Sequence, residues 1–102
     1  MVLEVVDRTP MVEVTGELDL SSGDELEALV TPMLTSGAEV GIILRGVTFA
    51  DSSGLGALLA LLQQAGEAGA EIVLVDPSPA VQRVLEITAT GDLFRIVDRP
   101  EV

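Results

Sequence analysis

The chain contains neither cysteine nor histidine. Without cysteine there are no disulfides and no thiol chemistry. Without histidine the commonest general base, the commonest metal ligand and the usual near-neutral proton switch are missing. Lysine is absent too, and no Walker-type glycine loop occurs, so the reagents of most enzymes and nucleotide-binding modules are lacking. The residues thus imply no enzyme, no cofactor and no metal. All five cations are arginines, against 17 acidic residues, for a net charge of −12. That balance argues against nucleic acid and anionic membranes, whose phosphates need basic clusters. It suits a basic protein partner through electrostatic steering, and it equally keeps a small domain soluble. Tryptophan and tyrosine are missing and there are two phenylalanines, so any core must be aliphatic. No apolar run approaches the ~18 residues of a membrane span. The N-terminus has neither the basic region nor the apolar segment of a secretion signal. The expected location is the cytoplasm.

What is present is enough for one domain over residues 1–102, with 48% apolar residues to form its core. Val2 to Val6 reads as a strand and Asp7-Arg8-Thr9-Pro10 as a turn. Met11 to Leu18 reads as a second strand with Val12 and Val14 on one face and Glu13, Thr15 and Glu17 on the other. The short connection makes these two an antiparallel hairpin. Gly16-Glu17-Leu18-Asp19 reads as a turn out of the sheet. A helix is expected from about Gly23 to Ser36, started by a Ser22–Glu25 capping box, bent at Pro32 and stopped at Gly37. Val40 to Leu44 and Ile72 to Val75 are apolar throughout, as in parallel strands buried on both faces. A helix is expected from Ser52 to about Gly66 and another from Pro79, a favoured first helical residue, to about Thr88. Ala89 to Asp92 reads as a loop and Phe94 to Val97 as a last strand. The order β-β-α-β-α-β-α-β predicts an α/β fold with a mixed, mostly parallel sheet of about five strands and about three helices. If all crossovers step the same way, the helices share one sheet face, and something must cover part of the other.

The most informative stretch is Phe49-Ala50-Asp51-Ser52-Ser53-Gly54-Leu55-Gly56, a strand–loop–helix junction. Backbone N–H groups there lack intrahelical partners. One reading makes Asp51 and the serines a helix cap. The other makes a serine hydroxyl a group held out for modification or contact. Leu55, Leu58, Leu59 and Leu62 read as core by helical spacing, with Ala57, Ala60 and Leu61 on other sides. Gly54 and Gly56 each weaken a helix start by ~1 kcal/mol, which implies close approach of another backbone. Asp19 reads as a turn or cap residue or as a contact, and Arg83 as a solvated residue or a rim contact.

In the order Gly16-Glu17-Leu18-Asp19, Asp51-Ser52-Ser53-Gly54-Leu55-Gly56 and Ser78-Pro79-Ala80-Val81-Gln82-Arg83-Val84-Leu85, the chain resembles the bacterial anti-sigma-factor antagonists of the STAS-domain family. The resemblance implies a STAS fold and a cytoplasmic transcription regulator without enzymatic activity. It implies binding to an anti-sigma factor that is also a serine kinase, which frees the sigma factor. It further implies that the kinase phosphorylates Ser52, with Ser53 as the alternative acceptor or a structural cap, and that a PP2C-type phosphatase reverses this. By the same resemblance Asp19, Asp51, Ser52, Ser53, Gly54, Leu55 and Gly56 form the partner surface. The competing reading is an accessory STAS subunit of a transporter or sensory complex. Two departures stand out. The family's Thr-Gly-Leu after the third helix is here Thr88-Ala89-Thr90, with a glycine only at Gly91, which predicts a differently shaped loop. The family's final helix has only five residues, including Pro100, in which to form after Val97. Its absence would expose apolar surface and favour a homodimer.

Overall fold

The computed structural model describes residues 1–98. Strands β1 (Val2–Val6) and β2 (Thr9–Leu18) form the antiparallel hairpin. Its turn is only Asp7-Arg8, with φ of 50° and 68°. Two left-handed residues match the twist of the flanking strands, so Thr9 and Pro10 belong to β2 and pair with Val6 and Val5. The turn is thus shorter than the four residues that proline and polarity indicated.

Helix α1 (Leu20–Val30) starts three residues before Gly23. Gly16, Glu17 and Leu18 remain in β2, and Asp19 is the N-cap. The capping box joins Asp19 to Ser22, not Ser22 to Glu25. Pro32 does end the α-helix: Thr31–Met33 forms a single 3₁₀ turn with the proline in its first positions. A chain without a proline N–H loses no bond at a helix start. Strand β3 runs Glu39–Ala50, well past Leu44. Helix α2 (Ser52–Ala68) closes on Gly69, whose φ of 73° suits a residue without Cβ. Strand β4 (Glu71–Val75) leads to α3 (Pro79–Ile87), capped by the Ser78 hydroxyl. A 3₁₀ turn at Gly91–Leu93 and strand β5 (Arg95–Val97) complete the fold. Ala89 takes φ 55°, the left-handed conformation for which glycine is normally used. The loop after α3 thus makes its left-handed turn at Ala89, two residues before Gly91. The expectation of a missing final helix, and the homodimer argued from it, fall outside the described residues.

The strands lie in the order β1-β2-β3-β4-β5, with β2 to β5 parallel. Every crossover therefore steps the same way. The main core joins Leu26 and Val30 of α1, Leu55, Leu58 and Leu61 of α2 and Val81 and Leu85 of α3 to one face of the sheet. Ala57 and Leu61, expected on other sides of α2, are buried, whereas Leu59 and Leu62 are only partly so. On the opposite face Ile43, Val73 and Val75 form a second small cluster with Met11 and Val97. Both faces of β3 and β4 are thus buried, as their unbroken apolar runs predicted.

Strict alternation fails along β3 for a definite reason. Its register against β2 slips twice, from Glu13↔Ile43 to Thr15↔Gly46 and from Gly16↔Val47 to Glu17↔Phe49. Each slip inserts one extra residue into β3, as in a β-bulge. The first slip moves the inward position from Gly46 to Val47, and the second restores the original alternation at Ala50, so Phe49 faces outward, 50% exposed, as in an unbroken strand.

Candidate functional site

Strands β2 and β3 end side by side, with Leu18 opposite Ala50. An aspartate follows each of these residues. Asp19 and Asp51 adopt nearly the same extended backbone, with φ/ψ of −129°/−165° and −123°/−178°. Each caps the helix that follows it. The Ser22 N–H donates to Asp19 Oδ1 at 3.0 Å, and the Gly54 N–H donates to Asp51 Oδ1 at 2.9 Å. The Asp51 N–H in turn donates to the Leu18 carbonyl at 3.3 Å, which ties the two turns together. The site is therefore a pair of matching, aspartate-capped helix starts on adjacent strands.

The Asp19 start is further braced. Its own N–H donates to Ser22 Oγ at 2.9 Å, and the Ser22 hydroxyl donates to the Glu17 carbonyl at 2.7 Å. The Ser22 backbone N–H, then its hydroxyl, hold the Asp19 carboxyl below the usual carboxylate range. Hydrogen bonds to the charged form have that sign.

Gly54 explains how the second start fits so closely. A Cβ there would lie 2.6 Å from the Leu18 carbonyl carbon, closer than real contacts allow. This is the close backbone approach that the glycine indicated. Gly56 is different: a Cβ there would meet nothing within 4 Å, and the residue is exposed. Between α1 and α2, Gly23 plays the matching part, since its Cβ would come 3.0 Å from that of Ala57.

Ser52 and Ser53 are the first two residues of α2, and both are exposed. Neither hydroxyl has a hydrogen-bond partner among the described residues. Ser53 is thus not the cap; Asp51 is, because its carboxylate already takes the Gly54 N–H. Of the other expected contact residues, Asp19 and Asp51 are partly exposed, whereas Gly54 and Leu55 face inward, Leu55 with 3% exposure. The accessible surface at this edge comprises Asp19, Asp51, Ser52, Ser53 and Gly56. Three neighbours join it, and of these the sequence singles out only Arg83, as a rim contact. Leu20, the first residue of α1, is 65% exposed, and Phe49 projects just before Asp51. Arg83 and Phe49 line one groove between β3 and α3. Alternation continued from Ile42 and Leu44 places Phe49 outward, but only once β3 is known to run on to Ala50.

No cluster of three or more Asp, Glu, His or Cys residues that could hold a metal ion occurs among the described residues. No helix among them is long and apolar enough to cross a membrane. What the edge offers is two fixed carboxylates, two free hydroxyls and exposed apolar side chains.

A family model described as "Mlab, STAS domain" matches residues 1–97. The anti-sigma-B factor antagonist of Staphylococcus aureus is 33% identical over 97 residues, covering 94% of this chain and 90% of that protein. The solved structure of the anti-sigma factor antagonist SpoIIAA in its unphosphorylated form superposes with a TM-score of 0.76 at 27% identity, over 97% of this chain and 87% of that one. The phosphorylated form of SpoIIAA, described as a Bacillus cell fate determinant, gives a TM-score of 0.72 at 26% identity, over 97% and 90%. The five-stranded sheet with helices on one face and the capped serine edge thus define a STAS domain. The chain belongs to the STAS-domain family of anti-sigma-factor antagonists.

Proposed function

We propose that this protein is a cytoplasmic anti-sigma-factor antagonist in which residues 1–102 make up a single STAS domain. It binds an anti-sigma factor with a serine-kinase fold, releases the sigma factor, and is switched off by phosphorylation of Ser52. A PP2C-type phosphatase restores the binding form. It acts by contact, not by catalysis. The observation that carries this reading is the Ser52 hydroxyl, exposed and without a hydrogen-bond partner among the described residues, at the head of a helix whose cap is a different residue.

The physics of the switch follows from that separation. A phosphate would add about −1.5 to −2 charges. Because Asp51 already occupies the Gly54 N–H, the phosphate would sit beside the cap without displacing it. The domain stays folded, but its contact edge gains charge next to Asp51 and Asp19. A partner packed there must bury an unpaired charge, which is strongly unfavourable. Release comes from repulsion and desolvation, not from unfolding.

The test is to incubate the protein with a kinase-fold anti-sigma factor and ATP and to locate the phosphate by mass spectrometry. Phosphate on Ser52, lost in Ser52→Ala, is expected. Ser52→Asp should weaken capture of the anti-sigma factor by at least about tenfold, or ~1.4 kcal/mol. Phosphate confined to other residues, or undiminished capture, would refute the switch. The alternative is an accessory STAS subunit of a transporter or sensory complex. Co-purification with a transporter, and with no anti-sigma factor, would select it.

A further inference from the structure

Phe49 is the aromatic one among several large apolar side chains that the fold leaves exposed. The other phenylalanine, Phe94, is 7% exposed, against 50% for Phe49. Phe49 lies on the face of β3 opposite Ile42, Leu44 and Ala50, which pack into the main core. Next to Phe49 a groove of about 370 Å³ lies between the end of β3 and the first turns of α3, lined by Thr48, Phe49, Ala50, Pro79, Ala80 and Arg83. That volume falls in the range of small-ligand sites, ~300–1,000 Å³, and accommodates one anchoring side chain.

The charge of the groove is opposite to that of the molecule. In a chain of net charge −12, no carboxylate lines it and Arg83 is its one charged residue. Arg45 is paired with Asp76, and Arg95 with Glu39 and Glu71. Arg83 makes no ion pair or hydrogen bond among the described residues, so its fork of donors is open to an outside group. The β3 wall of the groove runs directly on into Asp51 and Ser52, which makes it continuous with the contact edge.

We propose that this groove is a second part of the partner surface. It seats a segment of the anti-sigma factor that lays an apolar side chain against Phe49 and Pro79 and a carboxylate on Arg83. The inference rests on the antagonist reading above. A carboxylate matches the planar guanidinium in a bidentate pair. An apolar side chain uses the aromatic wall, which a small inorganic anion would leave bare. Aromatic and arginine anchors in desolvated pockets carry much of the energy of protein contacts. Elsewhere the acidic surface selects a basic partner. A partner carboxylate is welcome at this groove, so it fixes the orientation of the complex.

Two measurements test this. The first is an NMR titration of ¹⁵N-labelled protein with the capped dipeptides Ac-Leu-Glu-NH₂ and Ac-Leu-Lys-NH₂ and with inorganic phosphate. Leu-Glu should shift the amides of Phe49, Ala80 and Arg83 with a Kd of about 1 mM. Leu-Lys and phosphate should not, and Arg83→Glu should abolish the response while leaving the remaining spectrum in place. No shift with Leu-Glu at about 10 mM, or equal shifts with phosphate alone, would overturn the proposal. The second is capture of the kinase-fold anti-sigma factor, which Phe49→Ala and Arg83→Glu should each weaken by about tenfold. Weakening by Ser52→Asp but by neither groove variant overturns the groove and leaves the switch standing. If no variant, nor the unaltered protein, captures an anti-sigma factor, the antagonist reading fails and the titration alone decides the groove.

Discussion

Ser52 and Ser53 are neighbours of the same chemical type, and neither bears the structural work of the helix start. That work falls to Asp51, through its bond to the Gly54 N–H. Asp51→Ala should therefore lower stability by about 1 kcal/mol in urea unfolding, the usual cost of losing an N-cap. Ser52→Ala and Ser53→Ala should each stay within about 0.5 kcal/mol, as for exposed side chains without partners. A loss at Ser53 equal to that at Asp51 would return the cap to the serine. The sequence made the motif visible but could not tell which of its residues is the cap. Asp, Ser and Ser are all good caps, so composition could not choose among them. The choice depends on which residue is extended and which is already helical, a backbone property that three adjacent polar side chains do not encode. Gly54 was legible because a glycine at a helix start is costly and needs a reason, and the Leu18 carbonyl supplies one. Phe49 was not legible, because the apolar run that marks β3 ends at Leu44 while the strand continues to Ala50.

At the scale of elements, the start of α1 was displaced for a related reason. Leu20 is apolar yet 65% exposed, so it does not mark the inward face of a helix. The Asp19–Ser22 box then lies across what looked like a turn. The box makes a prediction about pH. Because the folded state holds the Asp19 carboxyl below its ordinary value of 3.8, folding favours the charged form. The resulting stabilisation is present above the unfolded pKa and is lost as pH falls through the lower folded value. Urea midpoints measured from about pH 6 down to about pH 2 should therefore fall more steeply for the unaltered protein than for Asp19→Asn. Asparagine caps a helix about as well but does not titrate. Parallel curves would show that Ser22 does not stabilise the Asp19 carboxylate. Strands β3 and β4 were easier to read, because continuous apolar runs have few other uses, and the small cluster of Ile43, Val73 and Val75 accounts for their second face.

Across the whole molecule the problem is charge. Glu39 and Glu71 stand directly opposite each other on β3 and β4, an unfavourable like-charge pair. Arg95 answers both, at 3.7 Å and 2.8 Å. These groups are half exposed, so the pairs relieve local repulsion without adding much stability. With net charge −12 the remaining carboxylates repel one another over the surface. Screening should then stabilise the fold: the thermal midpoint should rise as salt increases from about 0.01 M to about 0.15 M, where the Debye length shrinks from ~30 Å to ~8 Å. A midpoint that falls with salt would mean that specific pairs such as Arg95–Glu71 outweigh the general repulsion.

The twin aspartate caps carry a consequence for how such a protein can change over time. In both starts the residue after the cap, Leu20 in α1 and Ser52 in α2, is exposed. Folding places little demand on either position, since the aspartate, the Ser22 or Gly54 N–H and the Leu18 carbonyl hold the geometry without them. Mutation can therefore explore these two positions almost freely. A duplicated copy of the gene could acquire a new partner, or lose its switch, in a single step without first gaining stability to tolerate the change. The caps insulate the fold from its own diversification.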